Sequence, residues 1–240
     1  ADFTQVLEKI SINNLWPGFS VISFAPQIID GTAFNDTLNG DSGKDDIAGF
    51  DGNDLLFGAG DADILSGGNG DDTLRGNDGD DRLFAGIGKD LVVGGIGNDF
   101  AQTSNGNDTA FGGDGNDTIG AGAGQDQLRG ELGDDLLLAS NGNDFVFGGA
   151  GDDQLVGGAG RDTVWGDAGA DTLNGGTEFD TASYDTATAG VAASLNSGLG
   201  TAGDALGDTF AAIEAFRGSA FADFFEGDAL ANRVDAGAGN

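Results

Sequence analysis

Neither cysteine nor histidine occurs in the 240 residues. The first absence excludes a disulfide framework and thiolate metal sites. The second removes imidazole ligands, two-histidine zinc-protease helices, Ser-His-Asp triads and Cys-His pairs. Basic residues are scarce, nine Lys and Arg against 41 Asp and Glu, for a formal charge of −32. Such a surface repels phosphates, which argues against nucleic acid and bare anionic membranes as partners. No run of about 18 apolar residues is present, so no direct membrane insertion is expected. The N-terminus also lacks the basic start and apolar stretch of a secretory signal, and a mature piece of something larger is the expectation. Self-repulsion of this size ordinarily favours disorder. The 47 glycines, however, follow a period of nine, which is neither low complexity nor the period of three of collagen.

What the chain does have is order. Seventeen consecutive nonapeptides fill positions 31 to 183, and in the phase that starts at Gly31 the sixth position is Asp in all seventeen. The first position is Gly in thirteen units, the fourth is Gly in fourteen, and the eighth is Leu, Ile or Val in fourteen. Clean copies are Gly67-Gly68-Asn69-Gly70-Asp71-Asp72-Thr73-Leu74-Arg75 and Gly148-Gly149-Ala150-Gly151-Asp152-Asp153-Gln154-Leu155-Val156. Each unit reads as a six-residue glycine-punctuated turn followed by a three-residue strand with its middle side chain on one face.

Three residues bury nothing alone, so the units must stack. With two units per coil of 18 residues, parallel strands form two sheets and the eighth positions meet between them. One layer is then Leu38, Leu56, Leu74, Val92, Ala110, Leu128, Val146, Val164 and Ala182, facing Ile47, Leu65, Leu83, Ala101, Ile119, Leu137, Leu155 and Leu173. The same stacking lines the sixth-position aspartates along two edges, one strand spacing of about 4.8 Å apart. Neighbouring carboxylates at that range repel by about 1 kcal/mol each even at a water-like dielectric. A cation between them reverses the sign. Carboxylate and carbonyl oxygens bent around a centre by glycine suit calcium better than magnesium, which needs stricter octahedral geometry, or the soft metals. Pairing each unit with the one two places on gives 17 minus 2, or 15, candidate sites. Fourteen branched aliphatics are a thin core for 153 glycine-rich residues, so folding is expected to depend on the ion.

The pattern resembles the repeats-in-toxin (RTX), or hemolysin-type, calcium-binding repeats, whose signature is Gly-Gly-x-Gly-x-Asp-x-aliphatic-x. The resemblance implies an all-β fold, a parallel, right-handed β-roll with multiple calcium ions in its turns. It also implies export by a one-step bacterial secretion system, with folding delayed until the calcium-rich exterior. Carried onto this chain, the implied metal ligands on one edge are Asp36, Asp54, Asp72, Asp90, Asp108, Asp126, Asp144, Asp162 and Asp180. On the other they are Asp45, Asp63, Asp81, Asp99, Asp117, Asp135, Asp153 and Asp171, with Asp223 in a later repeat.

Four segments are expected. Residues 1–30 are a capping or docking segment rich in apolar residues such as Phe3, Leu7, Trp16 and Phe24; 31–183 are the roll; 184–217 interrupt the repeat; 218–240 restart it. The restart, Gly218 to Glu226, echoes Gly31 to Asn39, the next unit carries Asn232 where Asp belongs, and the last repeat is cut short. Phe34 and Glu178 replace the fourth-position Gly in the end units, which makes the sites of Asp36 and Asp180 the least regular. Ala85, Thr103, Ala121 and Ala139 replace first-position Gly along one edge, read as local backbone tolerance.

On the outer faces Leu55, Phe57, Leu91, Val93, Phe111, Phe145, Phe147 and Trp165 share one side, and Ile64, Phe84, Phe100, Leu136, Leu138 and Val156 the other. Apolar area of this extent calls for a covering segment, self-association into a homo-oligomer, or a ligand such as a cell-surface polysaccharide. With aspartates spaced for metal cages and no His, catalysis within the chain is not expected. The functional expectation is a non-enzymatic calcium-binding module of a secreted, extracellular bacterial protein serving a surface layer, an adhesin or a self-assembling role. The alternative is an accessory module of a polysaccharide-active enzyme, lipase or protease whose catalytic domain lies elsewhere.

Overall fold

The computed structural model describes residues 26–239. From β1 (Gln27–Asp30) to β18 (Thr181–Ser183), consecutive strands alternate between two sheets, and each of the first sixteen pairs in parallel with the strand two places on. Successive partners are 18 residues apart: Leu56 lies beside Leu74, Leu74 beside Val92, and Leu128 beside Val146. Two nonapeptides therefore make one coil of an all-β parallel solenoid. The register cannot slip by one residue, because a slip would turn every inward aliphatic to solvent.

The eighth-position side chains form the core as the periodicity requires. All but Leu38 are at most 2 % exposed. Leu38 is partly buried because β2 (Thr37–Asn39) is the end strand of its sheet, covered only by β4 (Leu55–Gly60). The strands are longer than the three residues expected. β6, for instance, runs from Thr73 to Asp78, taking in the first three residues of the following turn. Since the turns are copies in register, their amides also bond to the neighbouring coil, as Gly70 N–H does to the Ile87 carbonyl at 2.8 Å. Only three residues of each unit remain as a bend.

Beyond Ser183 the stack continues through residues where the repeat lapses. β17 (Thr172–Thr177) pairs with β21 (Thr209–Ala211), and β18 with β22 (Ala215–Arg217). Between them the chain inserts β19 (Ala192–Ser194) and β20 (Leu199–Ala202). β20 runs antiparallel to β19 and β21, and β19 pairs in parallel with β23 (Phe224–Glu226). The other sheet ends simply, β22 against β24 (Arg233–Asp235). Inward positions at this end become aromatic: Phe216 stacks on Phe225 at 4.8 Å and meets Phe210 edge-on at 5.2 Å. At the opposite end β1 pairs with β3 (Asp45–Asp51), so the stack starts one strand before Gly31, with Gln27 beside Asp45 and Ile29 beside Ile47. Most of the expected capping segment, residues 1–25, lies outside the described residues.

The ninth positions of one outer face form a continuous ladder, Phe57, Arg75, Val93, Phe111, Arg129, Phe147 and Trp165, each beside the next. The Arg129 guanidinium sits 4.1 Å from the Phe147 ring centre, a cation–π contact. Phe147 in turn stacks on Trp165 at 4.3 Å. Trp165 is only 6 % exposed, and its indole N–H donates to Asp185 Oδ1 at 2.8 Å, so residues after the array cover this end of the face. Phe145, by contrast, is 51 % exposed.

The two positions separate in mutational cost. Leu128→Ala removes a fully buried side chain and should cost about 2–5 kcal/mol. Phe145→Ala should stay within about 0.5 kcal/mol. Urea unfolding at saturating calcium measures both, and equal losses would contradict the layer assignment.

Candidate metal centre

The sixth-position aspartates are buried from Asp45 to Asp180 although they belong to bends. Their geometry follows one rule. In each of fifteen steps of 18 residues, from Asp36–Asp54 to Asp162–Asp180, the amide of the earlier Asp donates to Oδ1 of the later one. The distances are 2.7–2.9 Å. The other oxygen, Oδ2, has no hydrogen-bond partner in any of the fifteen residues Asp54, Asp63, Asp72, Asp81, Asp90, Asp99, Asp108, Asp117, Asp126, Asp135, Asp144, Asp153, Asp162, Asp171 and Asp180. A buried carboxylate oxygen without a partner is costly. Fifteen of them in two files call for a cation.

Backbone supplies the remaining donors. A Cβ placed on first-position Gly49 would run into Asp54 Oδ2 and, at 2.8 Å, the Gly67 carbonyl oxygen of the next coil. Gly67 and Gly76 repeat this with Asp72 and the Ala85 carbonyl, and with Asp81 and the Gly94 carbonyl, each carbonyl at 2.7 Å. First-position glycine thus leaves room for an Asp oxygen and a carbonyl oxygen to converge. The fourth-position glycine answers to conformation, as at Gly70 with φ +129°. Ala85, Thr103, Ala121 and Ala139, which do carry a Cβ there, are fully buried at one edge, and Thr103 Oγ1 donates to the Ala121 carbonyl at 3.2 Å. Among the described residues no three acidic side chains converge as a metal cluster, so the oxygens on offer at each rung are one free carboxylate oxygen and main-chain carbonyls. That donor set is hard and oxygen-only, and it fits calcium.

The end units differ. Asp36 Oδ2 accepts the Thr32 amide at 2.6 Å and the Thr32 hydroxyl at 2.8 Å. Asp45 Oδ2 accepts the Asp41 amide at 2.8 Å, and Asp223 Oδ2 the Ser219 amide at 2.8 Å. In these three the second oxygen turns back onto the second residue of its own turn, as does Asn232 Oδ1 to the Asp228 amide at 2.7 Å. Asp180, in the last unit of the array and beside Glu178 in the glycine place, nevertheless keeps its oxygen free like the interior residues.

Three rungs escaped the sequence reading. Gln27 holds the sixth place before Asp45, donating its amide to Asp45 Oδ1 at 3.1 Å. Asp208 accepts the Asp171 amide at 3.0 Å across 37 residues, and Glu214 accepts that of Asp180 at 2.9 Å across 34. Neither step is 18, which hid them, although Asp208-Thr209-Phe210 repeats the Asp-Thr-apolar ending of many units. A second ladder was also missed. Fifth-position Asx oxygens accept amides of the following coil at 2.8–3.1 Å, in an unbroken run from Asp80 through Asn98, Asn116, Asp134 and Asp152 to Ala170.

The fold is a parallel β-solenoid whose turns carry files of buried, partnerless carboxylate oxygens. Comparison with protein families agrees. The family described as RTX calcium-binding nonapeptide repeat (4 copies) matches residues 30–65, 57–92, 66–101, 93–128, 121–155, 129–164, 147–182 and 212–240. The chain belongs to this family and is a calcium-binding structural module. The stretch between the last two matches holds the inserted β19 and β20. Comparison with curated proteins gives no match.

Burial lifts the ladder carboxyls from Asp63 to Asp180 above their ordinary 3.8. Asp117 reaches about 7 and Asp72 about 6; the backbone hydrogen bond from the preceding coil opposes the rise, and neighbouring carboxylates add to it. A folded-state pKa that is raised means the ion-free roll holds protons the unfolded chain has released. Its stability is therefore greatest below about pH 4 and is lost as pH rises through 6 to 7. Calcium must displace those protons. Its apparent affinity should fall at least about tenfold between pH 8 and pH 5, with proton release on binding, as titration calorimetry in buffers of different ionisation enthalpy would show. Asp117→Asn, which keeps the accepting Oδ1 but not the charge, should lose one or two ions per chain, whereas exposed Asp80→Asn should lose none. Native mass spectrometry counts them.

Proposed function

We propose that the chain is a calcium-triggered folding module of an exported bacterial protein, with no catalysis of its own, serving a cell-surface or self-assembling role outside the cell. The fifteen partnerless buried carboxylate oxygens carry this reading. At cytosolic calcium such a file of charges opposes compaction, and at extracellular calcium the ions join coil to coil, so that binding free energy acts as folding free energy. The net charge of −32 keeps the unfolded chain expanded. No helix among the described residues is long and apolar enough to cross a membrane.

Association of copies through an outer face is supported by Phe145, exposed beside Trp165 at 6.0 Å. Polysaccharide binding has less support on that face, because Phe147 and Trp165 stack on each other instead of presenting free ring faces. A calcium titration followed by far-UV circular dichroism and light scattering tests the reading. The expected result is an unfolded spectrum in chelator, a cooperative gain of β structure near 10⁻⁴ to 10⁻³ M, roughly the range of extracellular sites, and growth in particle size only after folding. A strand-rich spectrum that persists in excess chelator would refute it.

A further inference from the structure

The file of partnerless oxygens stops near the C-terminal end of the roll, and on one edge a single side chain shows how. Asp208 takes the rung after Asp171: besides accepting the Asp171 amide, it leads into Thr209, whose amide donates to the Asp171 carbonyl at 2.7 Å. It is fully buried like the rungs before it. Its second oxygen, however, accepts the hydroxyl of Tyr184 at 2.7 Å. Tyr184, the one tyrosine of the chain, is 1 % exposed and packs 6.5 Å from both Phe216 and Phe225, so the aromatic end of the core aims the hydroxyl. The main chain changes at the same rung. A Cβ on Gly148 or Gly157 would meet a carbonyl of the next coil at 2.7 Å, whereas beside Gly166 the nearest atoms are those of Asp171 alone. The step between the two aspartates is 37 residues, one more than two regular coils. On the opposite edge the Ala212 carbonyl still approaches Gly175 beside Asp180.

We propose that Tyr184 terminates the calcium ladder on this edge, its hydroxyl taking the oxygen of Asp208 that an ion takes elsewhere, so that the Asp171–Asp208 step binds no calcium. The inference rests on the calcium reading of the regular rungs. A hydroxyl satisfies one carboxylate oxygen as a neutral donor and brings no charge that further ligands must balance. It needs no carbonyl opposite, and beside Gly166 no carbonyl comes as close as the 2.7 Å seen at Gly148 and Gly157. An ion at this step would have to displace a buried hydrogen bond held by two stacked rings.

Native mass spectrometry of the full chain at saturating calcium tests this. Tyr184→Phe keeps the ring and removes only the hydroxyl, and the expected result is one more bound ion than in the wild type. Tyr184→Phe/Asp208→Asn should return to the wild-type count. An unchanged count in folded Tyr184→Phe overturns the proposal. Should that variant fail to fold, anomalous diffraction from wild-type crystals soaked with terbium decides: peaks along the regular rungs and none between Asp171 and Asp208 support it, and a peak there overturns it. A wild type that binds no ions at all would instead sink the calcium reading itself.

Discussion

Repulsion between buried carboxylates one coil apart is the constraint on which the roll depends. Each ladder aspartate is fixed by its Oδ1, which accepts the amide of the coil before it and holds the two bends in register. That bond leaves Oδ2 inside the edge with nothing to meet it. A hydrophobic core could in principle absorb the cost, but here each nonapeptide contributes one aliphatic side chain, and three of them are only Ala101, Ala110 and Ala182. The parallel ladders supply hydrogen bonds, yet these also require the coils to approach and bring the charges together. Cohesion and repulsion therefore rise with the same motion. With the carboxyls ionised, a cation between the coils separates them, which is why the fold and the ligand are one problem for this chain.

Most of the architecture was legible because every contact of a solenoid is a contact between copies of the same short unit. Sequence period and spatial neighbour coincide, so the inward layer from Leu56 to Ala182 and the file from Asp54 to Asp180 could be written down from spacing alone. The extent of the strands could not. Leu74 in the middle of three residues signals a strand by its burial, but Gly76 to Asp78 join the same ladder through backbone amides, and glycine leaves no side-chain pattern to read. The fifth-position ladder was obscure for a related reason. Asp, Asn and the occasional Lys or Gln look like a mixture until the bond is seen to need an Asx oxygen only on the donor's preceding coil, with any amide following it, as Ala170 shows after Asp152.

The C-terminal region marks where reading by period fails. Asp208 and Glu214 continue the two edges, but steps of 37 and 34 residues break the phase, and the inserted β19 and β20 occupy the sheet between β21 and β23. Phe210, Phe216 and Phe225 keep the inward place of Leu and Val with larger rings. A search for a repeated aliphatic passes over them. On the outer faces the sequence showed the apolar surplus but not its partial resolution, since the cover over Trp165 comes from Asp185, twenty residues on. Burial of that indole could be inferred only from tertiary contact.

Interior and ends of the roll solve the same electrostatic problem by different means. Inside, an oxygen cage shared by successive coils admits a cation, and the demand for ions grows with the number of coils. Near the ends the second oxygen of Asp36, Asp45 or Asp223 folds back to an amide of its own turn. Gln27 achieves neutrality outright, bringing the amide that Asp45 Oδ1 needs without another charge. These neutral closures set the length of the charged file, because an edge of carboxylates cannot stop abruptly without leaving its last oxygen buried and alone. At Asp36, Asp45 and Asp223 hydrogen bonds within the turn satisfy the oxygen that is left free at the interior rungs.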